Sequence, residues 1–318
     1  MSLFAQAVAL GRAGRPAEGV ALVERAAAAG DAEGNLILAH WLLYGSDRPR
    51  DVGAARACLK NAAAKGSADA VRLLANLIAG GIGGEADWDH AIALLRQIAS
   101  RDALAAEQLA LLPLMPNEEG AGLAPREVRS SDPRIELVKR LVSPAECAYL
   151  MSRAEPLLKP SLVERPGYDF GKLDPIRTSH GAAFVPHDED LVIQRLNRRL
   201  AAATGTDVSR REPLYVMRYT PGQQYRPHHD ALAGLTNQRV LTAIIYLNSG
   251  YQGGATEFPD LSIAVRGDPG DVLVFRNTDA EGRPHPLMRP AGLPVTEGAK
   301  WVATRWIRAA AHDQYERG

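Results

Sequence analysis

The first third of the chain repeats a pattern of small apolar residues at helical spacing. The segment at 26–45 recurs at 61–81 and, more weakly, at 97–112, so that Gly30, Gly66 and Asp102 stand at equivalent points 36 residues apart. Within each unit Ala and Leu return every three or four residues, and Gly stands where one helix must end. Each unit is therefore predicted to be a pair of helices. Such a pair cannot cover its own apolar face, so the stacked pairs should share one core.

The pattern changes after residue 112. Residues 113–133 carry four prolines, several charges and no apolar period, which is typical of a linker. A short apolar strand from Ile135 then leads into Ser143-Pro144-Ala145-Glu146, a capping box that predicts the start of a helix. A second helix is predicted over 188–203. Beyond residue 212 short β-rich runs broken by Gly and Pro predict a barrel or sandwich: LYVMRYT, LTAIIYLN, LSIAV, DVLVF and WVATRWI.

Composition and charge narrow the class of protein. Hydrophobic residues make up 46% of the 318 positions, and 37 basic residues balance 37 acidic ones. No excess positive field would attract nucleic acid or an anionic membrane, so neither is an expected partner. The chain has no apolar run long enough for a membrane span, and its first residues lack the features of a secretory signal, so we expect a cytoplasmic protein. Cys58 and Cys147 fall in different predicted domains and predict neither a disulfide nor a thiolate metal site.

A pair of metal-ligand residue types lies within the β-rich region, in the stretch YRPHHDAL. His228 and Asp230 are separated by one residue, and residues i and i+2 of a strand point the same way. The imidazole and the carboxylate would therefore converge on one point. Together with one further His they would form the facial arrangement that holds non-haem Fe(II) and leaves open positions for oxygen.

The stretches around this pair, taken in order, resemble the prolyl 4-hydroxylase family of 2-oxoglutarate/Fe(II) oxygenases over about residues 135–308. The matching stretches are KPSLV (159–163), RTSHGAAF (177–184), YVMRYTPGQQYRPHHD (215–230), IIYLN (244–248), GGATEFP (253–259), GDVLVF (270–275) and GLPVTEGAKWVATRWIR (292–308). The resemblance implies a double-stranded β-helix (jelly-roll) domain with flanking helices over 134–310. The chain as a whole is then a multi-domain α + β protein, in which a helical-repeat solenoid at 1–112 and the linker at 113–133 precede that domain.

The same resemblance implies roles for particular residues. His228 and Asp230 would ligate Fe(II), Lys300 would pair with the distal carboxylate of 2-oxoglutarate, and Tyr219 would contact the same cosubstrate. No catalytic residue beyond the metal site is implied. The implied reaction uses O2 to hydroxylate a prolyl or other amino-acid side chain, coupled to decarboxylation of 2-oxoglutarate to succinate, with ascorbate keeping the iron reduced.

One position departs from the family pattern. The family's second metal histidine stands ten residues before the lysine, and here that position is Pro290, which cannot bind iron. The nearest substitute is His285, which could reach the metal only if the chain between Pro284 and Pro290 loops or bulges. Three interpretations stay open: His285 replaces the missing ligand, or two residues and water hold the iron, or catalysis has been lost.

The period and composition of the first third resemble Sel1-like repeats, which are relatives of the tetratricopeptide class. Such arrays often present a concave face to a protein, so we predict that the repeats recruit a protein or peptide substrate. The alternatives are packing against the catalytic domain and self-association. If catalysis has been lost, the chain would instead be an interaction module that acts through its helical repeats.

Overall fold

The computed structural model of the protein describes residues 1–161, 176–232 and 234–313. The chain divides into two compact units. The first consists of residues 1–114 together with 186–194, and the second takes the remaining residues. Among the described residues, none of the helices combines the length and the apolar character needed to cross a membrane.

Helices form the first unit, and each packs against the next along the chain. Their bounds are α1 (Leu3–Arg12), α2 (Pro16–Ala28), α3 (Ala32–Tyr44), α4 (Val52–Ala64), α5 (Ala68–Ala79), α6 (Trp88–Ile98) and α7 (Ala103–Leu111). Helices α2, α4 and α6 begin at Pro16, Val52 and Trp88, which reproduces the 36-residue period. The predicted array of helix pairs is confirmed.

Local residue chemistry explains the helix ends. An N-terminal Asp or Ser side chain accepts a hydrogen bond from the amide three residues later at α3, α4, α5, α6 and α7, which satisfies one of the free N–H groups of the first turn. Gly45 and Gly81, 36 residues apart, follow α3 and α5 with the same left-handed φ of 66°. Glycine adopts this conformation without steric cost, so each helix can end at the same point of its repeat.

Residues 186–194 lie far along the sequence yet belong to the first unit. The Asn76 side-chain amide donates to the carbonyl of His187 at 3.0 Å, and the amide of Leu191 donates to the Gln108 side-chain oxygen at 3.2 Å. The buried His187 ring packs edge-on against Tyr44, with centroids 4.5 Å apart. The face formed by α3, α5 and α7 is thus covered by a segment of the same chain.

Strands dominate the second unit. The main sheet contains β1 (Arg126–Ser131), β2 (Arg134–Val138), β3 (Lys159–Pro160), β4 (His180–Phe184), β5 (Leu214–Tyr219), β6 (Arg239–Tyr246), β10 (Val272–Arg276) and β13 (Lys300–Arg308), in the order β1-β2-β10-β6-β13-β5-β4-β3. A smaller sheet orders as β11-β8-β9 and a ribbon as β12-β7, from β7 (Gln252–Gly253), β8 (Thr256–Phe258), β9 (Ile263–Val265), β11 (Ala291–Gly292) and β12 (Val295–Glu297). The strand pairs are antiparallel, and apolar side chains of the main and smaller sheets share one buried core, as a jelly-roll requires.

The predicted linker at residues 113–133 includes a strand of the main sheet. Strand β1 pairs with β2, from Arg126 opposite Val138 to Ser131 opposite Arg134. Its sequence REVRSS shows no apolar alternation because it is an edge strand whose residues are mostly exposed. Backbone pairing and the ion pair between Arg126 and Glu136 hold β1 in place. Neither interaction depends on apolar side chains, so the hydrophobic pattern of the sequence does not reveal this strand.

Two helices accompany the sheet, α8 (Pro144–Ala154) and α9 (Leu191–Thr204). The predicted capping box is present: the Glu146 amide donates to Ser143 Oγ at 3.3 Å, and the Ser143 amide donates to the Glu146 carboxylate at 2.9 Å. Glu146 also forms a fully buried ion pair with Arg199 of α9. Helix α9 starts three residues later than predicted, because the Asp190 carboxylate accepts the amide of Ile193 and so caps the first turn.

Candidate metal and cosubstrate site

A small cavity lies in the second unit, inside the β-sandwich. Strand β13 presents every second residue to it, as expected of side chains on one face of a strand. Its lining residues from β13 are Lys300, Val302, Thr304 and Trp306; those from β5, β6 and β10 are Met217, Tyr219, Ile244 and Phe275; those from β8 and β11 are Thr256, Ala291 and Gly292; and the connecting segments add Arg177, Tyr225, His228, Asp230 and Pro290. Four residues singled out by the sequence, His228, Asp230, Lys300 and Tyr219, therefore share one cavity.

The predicted metal pair stands close together, although its segment is not a regular strand. The amide of His228 donates to the carbonyl of Pro290 at 3.2 Å, which holds the extended segment beside the smaller sheet. His228 Nε2 and Asp230 Oδ1 are 3.3 Å apart. The i, i+2 spacing thus brings both side chains to one point.

The hydrogen bonds of His228 indicate what can lie between these two atoms. Its Nδ1 is 2.9 Å from the carbonyl oxygen of Arg226, so Nδ1 carries the proton and donates. Nε2 of a neutral imidazole is then an acceptor that faces the acceptor Asp230 Oδ1. Two such atoms repel each other unless a proton or a metal ion lies between them. Two ligand atoms that are each about 2.1 Å from one metal ion, at roughly 100° to each other, stand about 3.2 Å apart. The observed 3.3 Å fits that arrangement.

A buried chain of hydrogen bonds orients the carboxylate. The Thr242 hydroxyl donates to Asp230 Oδ2 at 2.7 Å, and the Asn277 side-chain amide donates to the same hydroxyl oxygen at 2.9 Å. Burial raises the pKa of Asp230, but the hydrogen bond and charge that His228 supplies when a proton lies on Nε2, together with the Thr242 hydrogen bond, outweigh burial and lower that pKa to about 2. Asp230 is therefore ionised at any ordinary pH, with Oδ1 directed to His228.

Lys300 is a buried cation whose charge no carboxylate neutralises within the described parts of the chain. It is 4% exposed, and its Nζ lies 5.7 Å from the ring centroid of Tyr219 and 5.8 Å from that of Tyr246. Burial, and to a smaller extent the charge of Arg266, lower the pKa of Lys300 to about 8. Gly254, in the left-handed region at φ 64°, leaves space for the lysine stem, since a Cβ there would meet Lys300 Cδ at 3.3 Å.

Tyr219 stands directly opposite Lys300 in the pairing of β5 with β13. Its hydroxyl lies 3.5 Å from the sulfur of Met217, and its ring is 5% exposed. Tyr219 and Lys300 line the same cavity, with the Tyr219 ring beside the ammonium. This placement is compatible with the predicted contact to the cosubstrate.

The structure does not bring His285 to the metal pair. The part of the chain that the structure describes contains no group of three His, Cys, Asp or Glu side chains placed to share a metal ion. The His285 amide donates to the carbonyl of Asn277 at 2.9 Å, and its Nδ1 accepts from the amide of Leu287 at 3.3 Å, so a local turn uses both groups. Pro290 lines the cavity at the family's ligand position. Within the described residues, His228 and Asp230 lie together and His285 is not grouped with them.

Two cavity residues received no role in the sequence analysis. Tyr225 stacks on the imidazole of His228, with ring centroids 3.5 Å apart and planes inclined by 13°. Arg177 holds its guanidinium carbon 5.0 Å from the Tyr225 centroid and 4.9 Å from that of Tyr215. Both residues lie within family-like stretches, but stacking between them depends on tertiary structure that spacing along the chain does not reveal.

Fold and site together define a jelly-roll oxygenase with positions for a metal ion and a carboxylate ligand. Residues 214–308 match the family model of the 2OG-Fe(II) oxygenase superfamily, where 2OG is 2-oxoglutarate. Prolyl 4-hydroxylase 1 of Arabidopsis thaliana is 35% identical over 205 residues, which cover 58% of this chain and 72% of that protein. Prolyl 4-hydroxylase subunit alpha-1 of Rattus norvegicus is 34% identical over 195 residues, covering 58% of this chain and 36% of that protein. The chain belongs to the prolyl 4-hydroxylase family of 2OG-Fe(II) oxygenases.

Two solved structures align with portions of the chain. The 2OG complex of a viral collagen prolyl hydroxylase from Paramecium Bursaria Chlorella virus-1 aligns with a TM-score of 0.46 and 27% identity, covering 55% of this chain and 96% of that one. A Sel1 repeat protein from Oxalobacter formigenes aligns with a TM-score of 0.32 and 20% identity, covering 34% of this chain and 85% of that one.

The family uses Fe(II) and 2-oxoglutarate, and the residues present can be tested against both. The facing acceptors of His228 and Asp230 fit a metal ion through two protein ligands. The buried ammonium of Lys300, with no acidic partner in the described residues, fits a carboxylate at the other end of the cavity. The third family ligand is absent at Pro290, so the fit to iron is through two side chains.

Proposed function

We propose that this protein is a 2-oxoglutarate-dependent oxygenase that hydroxylates a prolyl or related amino-acid side chain of a protein or peptide. One observation carries the proposal: the Lys300 ammonium, which has no carboxylate partner among the described residues, lines the same cavity as the His228 and Asp230 pair. A dicarboxylate that chelates a metal through its 2-oxo acid end needs a cation for its distal carboxylate. This cavity offers both ends of that arrangement.

The side chains that line the cavity would have separate roles in binding the metal and the cosubstrate. His228 and Asp230 would hold Fe(II), which supplies oxygen activation when bound. Thr242 keeps Oδ2 of the carboxylate occupied and so directs Oδ1 to the metal. Lys300 orients the cosubstrate, and the apolar strand residues around it exclude water.

The acceptor is proposed from the named relatives, which are prolyl 4-hydroxylases. The segments where the sequence would place acceptor-recognising loops, 164–176 and 231–238, lie partly outside the described residues. We also propose that the helical repeats contribute to recruiting a protein substrate, by a surface other than the one that residues 187–194 cover. Ascorbate is proposed as the reductant that keeps iron in the Fe(II) state.

The test measures succinate formed from 2-oxoglutarate by the purified full chain with Fe(II), ascorbate and O2, with and without a proline-rich peptide. We expect Fe(II)-dependent succinate, and addition of one oxygen atom to the peptide by mass spectrometry. His228→Ala should abolish both products. The matched control is His229→Ala, which removes the exposed neighbouring imidazole and should retain both. Absence of succinate under Fe(II) loading would overturn the proposal.

A second candidate function rests on Pro290. A site with two protein ligands binds a metal less tightly than one with three, and if binding is too weak for turnover the chain acts as an interaction module through its repeats. Calorimetric titration of the metal-free protein with Fe(II) under anaerobic conditions separates the two functions. Fe(II) binding with succinate formation supports the oxygenase, whereas 2-oxoglutarate binding without metal binding supports the interaction module.

A further inference from the structure

The stack of Tyr225 on His228 has an arrangement that ordinary aromatic pairs avoid. The centroids are 3.5 Å apart and the planes differ by 13°, so the two rings lie nearly face to face. Two neutral rings prefer offset or edge-on geometries with centroids about 4.5–7 Å apart, because their quadrupoles repel in a direct stack. A direct stack becomes favourable when one ring carries positive charge. An imidazole that is bound to a metal ion through Nε2 is such a ring.

We infer that Tyr225 is a positioning residue of the metal site, whose ring face sets the plane of the His228 imidazole and stabilises the positive charge that a bound metal places on it. The inference rests on the proposed function, because it requires a metal ion at His228 and Asp230. Tyr225 would not contact the metal ion itself and would act through its contact with His228.

The hydrogen bond from His228 Nδ1 to the Arg226 carbonyl does not by itself fix the plane of the His228 ring. One hydrogen bond of 2.9 Å sets which nitrogen carries the proton, but the ring can still tilt about it. A parallel ring in contact with the imidazole face blocks that tilt. The described residues supply a single imidazole and a single carboxylate to the metal, so the direction of one Nε2 lone pair decides much of the affinity.

Tyr225 is itself held in place. Its amide donates to the Gly292 carbonyl at 2.9 Å, and the Gly292 amide donates back to the Tyr225 carbonyl at 2.8 Å. The Arg177 guanidinium lies over its ring, with Cζ 5.0 Å from the centroid. Backbone and side chain are therefore both fixed before any ligand binds. Loss of such supporting contacts in metal sites typically weakens metal binding by about 10- to 100-fold.

The test is the Co(II) affinity and visible absorption spectrum of the metal-free full chain, compared among variants at position 225. Tyr225→Phe keeps the ring and removes the hydroxyl, and we expect affinity within about twofold of wild type. Tyr225→Leu removes the ring, and we expect affinity about tenfold lower with an altered Co(II) spectrum. If the Leu variant does not fold, Tyr225→Met removes the ring with less loss of volume. The matched control is Tyr44→Leu, a tyrosine of the first unit whose ring packs against His187, which should leave Co(II) binding unchanged.

The outcomes separate this inference from the proposed function. Wild-type affinity and spectrum in the Leu or Met variant would overturn the positioning role, and so would a Phe variant as weak as the Leu variant. The thermal stability of each metal-free variant, measured alongside, shows whether a lower Co(II) affinity results from a destabilised fold. Lower Co(II) affinity at unchanged stability supports the positioning role of Tyr225. A wild-type protein that binds no Co(II) would overturn the proposed function itself.

Discussion

Replacement of Lys300 by Met should change ligand binding and stability in opposite directions. The methionine side chain is similar in length and apolar, so it removes the charge and retains much of the packing around the 4% exposed stem. Without its ammonium, the Tyr219 end of the cavity lacks the cation that would bind the distal carboxylate of 2-oxoglutarate. Removing one partner of a buried charge pair costs about 2–5 kcal/mol, so affinity for 2-oxoglutarate should fall by about 30-fold or more.

Stability of the ligand-free protein should instead increase. A fall in pKa from 10.5 to about 8 means that folding disfavours the charged lysine by about 3 kcal/mol at neutral pH. The Met variant lacks this unfavourable charge and should be more stable at pH 7 by up to about that amount. Between pH 8 and 10.5 the unfolded wild type binds more protons than the folded one, so wild-type stability rises with pH and the advantage of the variant shrinks.

Two measurements check this pair of effects. Anaerobic calorimetry with Mn(II) in place of Fe(II) gives the 2-oxoglutarate affinity without turnover, and urea unfolding of the ligand-free protein gives the stability. Wild-type affinity should weaken above about pH 8, where the free lysine loses its proton, and the variant should show no such dependence. Lys159→Met, at an exposed lysine of β3, should match wild type in both assays. A Lys300→Met protein that binds 2-oxoglutarate normally and unfolds more easily would refute the reasoning.

Three further predictions concern the metal ligands and the core. Thr242→Val removes the donor to the metal carboxylate and should lower Co(II) affinity about tenfold in the same spectroscopic titration; an unchanged affinity would show that the carboxylate needs no such support. His285→Ala should leave Co(II) affinity unchanged, whereas Pro290→His should raise it about tenfold or more by adding an imidazole at the family's ligand position; metal loss on removing His285 would contradict the two-ligand site. Arg199→Met leaves Glu146 buried without its partner and should destabilise the protein by about 3–5 kcal/mol in urea unfolding, with a change below about 1 kcal/mol as the contrary result.

Much of the fold could be predicted because local rules and periodicity agree. The 36-residue period places α2, α4 and α6, and the capping box at Ser143 places α8. Strand β1 could not be predicted, since an exposed edge strand needs no apolar alternation. The inclusion of residues 186–194 in the first unit depends on long-range hydrogen bonds, such as that from Asn76 to the His187 carbonyl, and no local pattern encodes these.

The candidate site, like the fold, could be predicted from the sequence only in part. The i, i+2 spacing predicts that His228 and Asp230 converge, and the family resemblance, not the spacing, assigns Lys300 to the same site; the structure places all three at one cavity. Whether His285 could reach the metal depends on the path of a turn, and that turn is decided by backbone hydrogen bonds to Asn277. The stack between Tyr225 and His228 depends on how two side chains meet in space, for which the three-residue spacing gives no rule.

The first unit consists of two separate stretches of the chain, residues 1–114 and 186–194. This division has a consequence for how the protein folds during its synthesis. A ribosome delivers domains from the N-terminus onward at about 5–20 residues per second, and a contiguous repeat array could finish folding while the rest is still being synthesised. Here the repeat face that receives His187 and Leu191 waits until the chain has been extended through some 70 residues of the second unit. The earliest folding intermediate on the ribosome therefore exposes Asn76 and Gln108, and a chaperone that recognises that open face would act only before residue 194 emerges.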